Sequence, residues 1–178
     1  MKEEQVILVD PNDEPLGLMN KMEAHEKGLL HRAFSIFIFN SNNELLIHQR
    51  AFTKYHTPGL WTNTCCSHPR ESETIKDAAK RRLMEEMGMQ CDFDEAFTFL
   101  YKSEVGQGLI EHEYDHVFIG YCNDTPQINP EEVAIWRYEN MDNLRYDLKI
   151  NPQRYTVWFR IAFDRVYEYL KSNNKFSM

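Results

Sequence analysis

Residues 62–69, Thr-Asn-Thr-Cys-Cys-Ser-His-Pro, put two adjacent thiols and an imidazole within a few positions. Such a cluster can serve a metal knuckle, a redox pair, a catalytic thiol or the buried end of a strand. The four cysteines, Cys65, Cys66, Cys91 and Cys122, contain no C-x-x-C spacing. That removes the paired zinc knuckle and the thioredoxin-type motif. In a strand, neighbouring side chains point to opposite faces. One cysteine of the pair therefore meets packing and the other a cleft. His68, two residues past Cys66, shares its side if the strand continues. A buried free thiol is inert by default, and a reactive one needs a metal, a cation or a hydrogen-bond donor beside it.

A second group is Ile-Glu-His-Glu-Tyr-Asp-His-Val-Phe at 110–118. Alternation puts Glu111, Glu113 and Asp115 on one face and His112, Tyr114 and His116 on the other. Three acids on one face repel each other, so either water screens them or a cation neutralises them. His25, His31 and His68 are each, alone, ordinary surface or core histidines more often than ligands. Joined to two carboxylates they would form a nitrogen–oxygen site suited to zinc or manganese rather than calcium.

The third group is a helix expected over about 74–87. Ile75, Ala79, Leu83 and Met87 form its apolar stripe, Thr74 with Asp77 fits a capping box, and Gly88 is a natural stop. Arg81 with Glu85 and Arg82 with Glu86 are spaced to pair on its surface. A solvated, ion-paired face explains that spacing equally well. Counted from Ser67, however, the segment resembles the Nudix box. Glu73, Arg81, Glu85, Glu86 and Gly88 match, Ser67 stands in place of a glycine, and Arg82 in place of a glutamate. The resemblance implies a magnesium–diphosphate site with Glu86 as an oxygen ligand. The lost carboxylate argues against ordinary Nudix hydrolysis.

The elements that must position these groups are legible from hydrophobic period and turn residues. A strand, a turn at Pro11–Asn12–Asp13 and a second strand open the chain. A short helix over Lys21–Lys27 ends at Gly28. A hairpin is expected from Phe34–Phe39 through Ser-Asn-Asn to Leu45–Ile47, and Gly-Leu-Trp-Thr-Asn-Thr-Cys-Cys-Ser reads as one further strand. Strands return at Ala96–Ser103, Leu109–Cys122 and Val133–Glu139. Helices follow over about Asp142–Lys149 and Pro152–Lys171. Strands and helices without regular βαβ alternation imply an α+β fold. The 178 residues are 42% hydrophobic and 13% aromatic, enough for one ordinary domain spanning 1–178 without disulfide staples. The net charge of −8 argues against a phosphate-backbone binder, so no nucleic-acid partner is expected. No apolar run reaches the roughly 20 residues of a membrane span, and the N-terminus lacks signal-peptide features. A soluble, cytoplasmic protein is expected.

Over most of its length the chain resembles the type I isopentenyl-diphosphate isomerases, a divergent Nudix group. The resemblance is carried by AHEKGLLHRAFSIFIFN, QRAFTKYHTPGLWTNTCCSHP, RRLMEEMG, FLYKSE, the EHE strand and a Trp in the last helix. It implies a Nudix-like mixed β-sheet sandwich flanked by helices, with an N-terminal β-hairpin extension and a long C-terminal helix. It implies interconversion of isopentenyl and dimethylallyl diphosphate, with Cys66 and Glu113 as the acid/base pair and Tyr101 near the reacting carbon. It implies diphosphate-binding cations at Lys21, Arg50, Lys54 and Arg82, and Trp158 over the isoprenyl pocket. It implies a Mn²⁺ or Zn²⁺ site of His25, His31, His68, Glu111 and Glu113, and Mg²⁺ held with the diphosphate by Glu86. The partner is then a small isoprenyl diphosphate, and the protein a monomer or homodimer. The competing expectation is a Nudix hydrolase of a nucleoside diphosphate derivative, against which Arg82 and the Cys66–His68 pair both count.

Overall fold

The run His31–Phe39 carries apolar residues on both of its faces, which suits a strand covered on two sides. In the computed structural model, which describes residues 4–173, it is the centre of a mixed sheet. The strands are β1 (Gln5–Val9), β2 (Pro15–Asn20), β3 (His31–Phe39), β4 (Leu45–Arg50), β5 (Trp61–Thr62), β6 (Cys65–Ser67), β7 (Phe93–Gly106), β8 (Leu109–Tyr121) and β9 (Val133–Glu139). The helices are α1 (Lys21–Lys27), α2 (Ile75–Met87), α3 (Met141–Ile150) and α4 (Val157–Ser172). Strand β3 runs parallel to β8, from His31 opposite Glu113 to Phe39 opposite Tyr121. The other ladders between these strands, β1–β2 and β7–β8 among them, are antiparallel.

Alternation along β3 divides the core into two layers. Phe34, Ile36 and Ile38 pack with Ala78, Ala79, Leu83 and Met87 of α2. Phe37 and Phe39 pack on the other face with Leu144 of α3 and Phe159, Ala162, Phe163 and Val166 of α4. Each fully buried Leu or Phe contributes about 1.5–3 kcal/mol. The helix stripe expected on α2 is therefore its packing face. Its Thr74 cap accepts from the Asp77 backbone N–H at 3.1 Å. The Thr74 hydroxyl donates to the Asp77 carboxylate, so the reciprocal half of a capping box is replaced by a side-chain bond. Gly88 ends α2 at φ +62°, where a Cβ would collide with the Gln127 carbonyl.

Three expectations are corrected. The hairpin of β3 and β4 pairs only at Phe39 opposite Leu45 and then splays, because β4 turns away to pair with β5 and β9. The segment Gly59–Ser67 is not one strand. Thr62 pairs with β4 and Cys65 with β3, and Asn63–Thr64 crosses the gap between them. The Thr64 hydroxyl donates to Leu46 O at 2.7 Å and accepts from Ile38 N–H at 2.9 Å, tying both splayed strands. Finally, α4 begins at Val157 rather than Pro152. Pro152–Arg154 form a separate 3₁₀ turn, and extended Tyr155 is buried with its hydroxyl on Asp147.

His48 on β4 is buried, and its Nδ1–H donates to Thr64 O at 3.0 Å. Burial, and then the charge of Arg50, push its pKa down to about 4. The unfolded chain, with a histidine near 6.5, binds the proton first as pH falls. The stabilisation is thus complete above about pH 6.5 and lost toward pH 4, on the order of 3 kcal/mol in all. Urea unfolding between pH 7 and 4.5 is expected to show a steeper loss of stability in the parent than in His48→Asn. Parallel slopes would contradict this.

Candidate active site

The ladder register brings together residues far apart in sequence. On β3 and β8, His31 stands opposite Glu113; on β7 and β8, Tyr101 stands opposite Glu113. Strand β6 sets Cys66 opposite Ser35, on the face that carries the acids, and His68 follows it on that side. Helix α1 adds His25. It is started by the Asn20 side chain, which accepts from Met22 and Glu23 N–H, and stopped by Gly28 at φ +61°. The result is a buried cluster: one ligand atom from each of His25, His31, His68, Glu111 and Glu113, all within 4.8 Å of one another.

The hydrogen bonds fix which ring nitrogens face inward. A backbone carbonyl only accepts. So His25 Nδ1–H donates to Lys21 O, and His31 Nδ1–H to Leu29 O at 2.9 Å. That leaves each Nε2 as a lone pair facing the carboxylates. His25 Nε2 lies 3.1 Å from Glu111 Oε2, and His31 Nε2 lies 3.7 Å from Glu113 Oε1 with no hydrogen-bond partner. His68 Nε2 is 3.0 Å from Glu113 Oε1, and its Nδ1 is buried and unpartnered. Lone pairs set against carboxylate oxygens require a positive charge between them. The titration directions divide within the cluster: burial pushes His68 down to about 4, whereas His25 moves up. Although burial opposes it, His25 is raised by its bond to Glu111 and by the charge there. Glu111, despite burial, is held well below the usual carboxylate range by His25 and His56. Three nitrogens and two carboxylates in this arrangement fit a metal ion. Asp115, third on that face, is handled differently. Burial and the Glu113 charge push it well above its usual value, while Ser35 donates to it at 2.7 Å.

Beside the cluster a cleft is lined by Cys66, Lys21, Arg50, Lys54, Arg82, Glu86, Glu113 and Trp158. The two adjacent cysteines divide as alternation requires: Cys65 packs against α2, and Cys66 faces the cleft. Cys66 Sγ lies 3.8 Å from Asn63 Oδ1. Burial and the charge of Glu86 push the Cys66 thiol well up. Tyr101 donates to Glu113 Oε2 at 2.6 Å, and its own hydroxyl is raised well above its usual value by burial and by Glu113. The Trp158 indole N–H donates to Thr62 Oγ1 at 3.0 Å, so the crossing segment also seats the ring.

The cleft cations are held by carboxylates. Lys21 pairs with Glu4 at 3.0 Å, Lys54 with Glu132, and Arg82 with Glu86 and, at 3.4 Å, Glu132. Arg50 lies over the Trp158 ring at 5.4 Å and donates to His56 O at 3.3 Å. All sequence-derived site residues except Tyr101 and His25 and His31 of the cluster floor line this one cleft. Sequence reasoning missed Glu132 and His56. Both lie in loops, and their approach to Arg82 and Glu111 is what marks them.

The NUDIX domain profile matches residues 29–159. The isopentenyl-diphosphate Delta-isomerase of Pectobacterium atrosepticum is 49% identical over 165 residues, covering 93% of this chain and 92% of that protein. Isopentenyl-diphosphate Delta-isomerase 1 of Aromatoleum aromaticum is 50% identical over 164 residues, covering 92% and 93%. The chain belongs to the isopentenyl-diphosphate Delta-isomerase family, within the NUDIX fold. Solved structures extend the fold further. DR0079 from Deinococcus radiodurans superposes with a TM-score of 0.77 at 18% identity, over 92% of this chain and 99% of that one. A MutT protein from Methanosarcina mazei gives 0.65 at 18% identity, over 81% and 95%. At that identity the likeness is one of fold. Among the described residues, no helix is long and apolar enough to cross a membrane.

The raised Cys66 thiol has a direct consequence. Nucleophilicity requires the thiolate, so iodoacetamide at pH 8 is expected to modify Cys66 of the metal-free protein more slowly than free cysteine, as followed by peptide mass spectrometry. Faster labelling than free cysteine would contradict the protonated thiol.

Proposed function

We infer that this chain interconverts isopentenyl diphosphate and dimethylallyl diphosphate, with Cys66 and Glu113 as the acid/base pair. The observation that carries this reading is the placement of a protonated thiol and a carboxylate in the lining of one cleft, beside four cations. Family membership makes the substrate an isoprenyl diphosphate.

The alkene is unactivated, so the double bond moves by proton addition and removal. A proton added to the terminal methylene carbon leaves a tertiary carbocation-like centre at the next carbon. Loss of a proton from the carbon on the diphosphate side then forms the new double bond. Cys66 and Glu113, both in the lining of the cleft, carry the two transfers. Tyr101, donating to Glu113 Oε2, holds that carboxylate and moderates its basicity. Trp158 offers its π face to the positive charge and excludes water, which would trap the cation as an alcohol. Lys21, Lys54 and Arg82 bind the diphosphate by exchanging carboxylate partners for phosphate oxygens, and Arg50, which has no carboxylate partner, joins them from beside Trp158.

His25, His31, His68, Glu111 and Glu113 would hold Zn²⁺ or Mn²⁺, and Glu86 would hold Mg²⁺ with the diphosphate. When bound, these ions supply fixed positive charge that orients Glu113 and neutralises the diphosphate. Arg82 stands where a Nudix box carries a glutamate, and its side chain pairs with Glu86. A cation at that position favours diphosphate binding over metal-assisted cleavage, which weighs against the hydrolase reading.

The test is incubation of the purified chain with isopentenyl diphosphate and Mg²⁺, with the products separated. Dimethylallyl diphosphate is the expected product; phosphate release without isomerisation would overturn the reading in favour of hydrolysis. Cys66→Ala and Glu113→Gln are each expected to lower kcat by about 10²–10⁴-fold or more with the fold intact by circular dichroism. Cys65→Ala, on the packed face, should keep most activity. Substantial turnover by Cys66→Ala would remove it from the acid/base pair.

A further inference from the structure

We propose that His56 is a positioning residue of the metal site: it grips the outer oxygen of Glu111 so that this carboxylate presents only its other oxygen to the ion. The proposal rests on the metal-site reading above. His56 belongs to the loop between β4 and β5, yet it is 5% exposed. Its Nε2 lies 3.1 Å from Glu111 Oε1. The other oxygen of that carboxylate, Oε2, lies 3.1 Å from His25 Nε2, inside the cluster. Glu111 is thus held at both oxygens by different partners. A carboxylate only accepts, so His56 Nε2 carries the proton and Nδ1 is the acceptor. The Thr57 hydroxyl, 3.0 Å from Nδ1, then donates to it.

The ring is seated on two sides. Tyr55 meets it edge-on at 4.3 Å between centroids, and Trp158 at 5.8 Å. Thr57 sits at φ +46°, a left-handed conformation strained for a β-branched residue. Such strain, about 1–3 kcal/mol, persists where the surroundings over-determine it. Here it accompanies a hydroxyl aimed at His56. Without the donor, Glu111 Oε1 would be a buried acceptor with no hydrogen bond, free to rotate toward the ion and change how the carboxylate binds. Outer partners that orient metal ligands characteristically change metal affinity or activity 10–100-fold when removed. The proximity of Trp158 to the same ring also ties the metal site to the wall that covers the substrate.

The measurement is Zn²⁺ affinity of the metal-stripped full chain, by competition with a chromogenic chelator, alongside thermal unfolding of the metal-free form. His56→Ala is expected to weaken Zn²⁺ binding about 10–100-fold with little change in metal-free unfolding. His56→Gln, whose amide can donate from nearly the same position, is expected to retain near-parental affinity. Parental affinity in His56→Ala overturns the proposal. Equal losses in the Ala and Gln variants also overturn it, since the donor would then not matter. If His56→Ala does not fold, His56→Gln is compared with Thr57→Val, which removes only the hydroxyl against Nδ1. Weaker binding in Thr57→Val alone supports the relay, and equal binding in both overturns it. A parent that binds no Zn²⁺ tightly overturns the metal-site reading itself, and with it the role of His56.

Discussion

Two carboxylates are buried against imidazole nitrogens that point lone pairs at them. Glu111 and Glu113 are 3% and 8% exposed, and the backbone carbonyls of Lys21 and Leu29 have already claimed the ring protons of His25 and His31. Tyr101 and His56 satisfy one oxygen of each carboxylate, and burying the remaining charge against lone pairs is costly, so this corner of the molecule could hold a cation. Much of the local architecture serves that requirement. Strands β3 and β8 run parallel to set His31 opposite Glu113, α1 is capped at both ends to deliver His25, and β6 returns His68 to the same face. Asp115 shows a contrasting case, a buried acid with one hydroxyl donor whose pKa burial and the Glu113 charge raise.

The splay of β3 and β4 matters almost as much. A continuous hairpin would close the sheet where the cleft now lies. Thr64 keeps the two strands apart yet joined, and the crossing segment around it carries Thr62 to Trp158 and Cys66 to the cleft. The thiol proposed for proton transfer, the histidine proposed as a metal ligand and the hydroxyl that seats Trp158 therefore all lie within one short segment, residues 62–68. Relatives of the same fold at 18% identity share the scaffold. At that identity the likeness is one of scaffold, and fold alone does not decide the chemistry, which rests on the side chains that line the cleft.

Alternation and helical period made much of this legible from residues alone. The Glu111–Glu113–Asp115 face, the opposite orientations of Cys65 and Cys66, and the packing stripe of α2 all follow from periods of 2 and 3.6, and each is present in the structure. The convergence of three histidines from α1, β3 and the end of β6 could not be read from spacing; it followed only from resemblance. The splay is not legible because the apolar pattern in Phe34–Ile47 is the same for a paired and a parted hairpin; it arises where β4 turns to pair with the distant β5 and β9, and Thr64 bridges the gap. The false start of α4 arose because proline suits a first helical position, whereas the buried, extended Tyr155 interrupts the run. His56 and Glu132 carry no local signal at all: their meaning lies in contacts across the fold.

The most direct test of this account is anomalous X-ray diffraction from crystals grown with Zn²⁺ or Mn²⁺, collected at the absorption edge of the metal. The account predicts one strong anomalous peak enclosed by His25, His31, His68, Glu111 and Glu113, with the imidazole lone pairs directed at it. No peak there, with the imidazoles bonded directly to the two carboxylates, would contradict it.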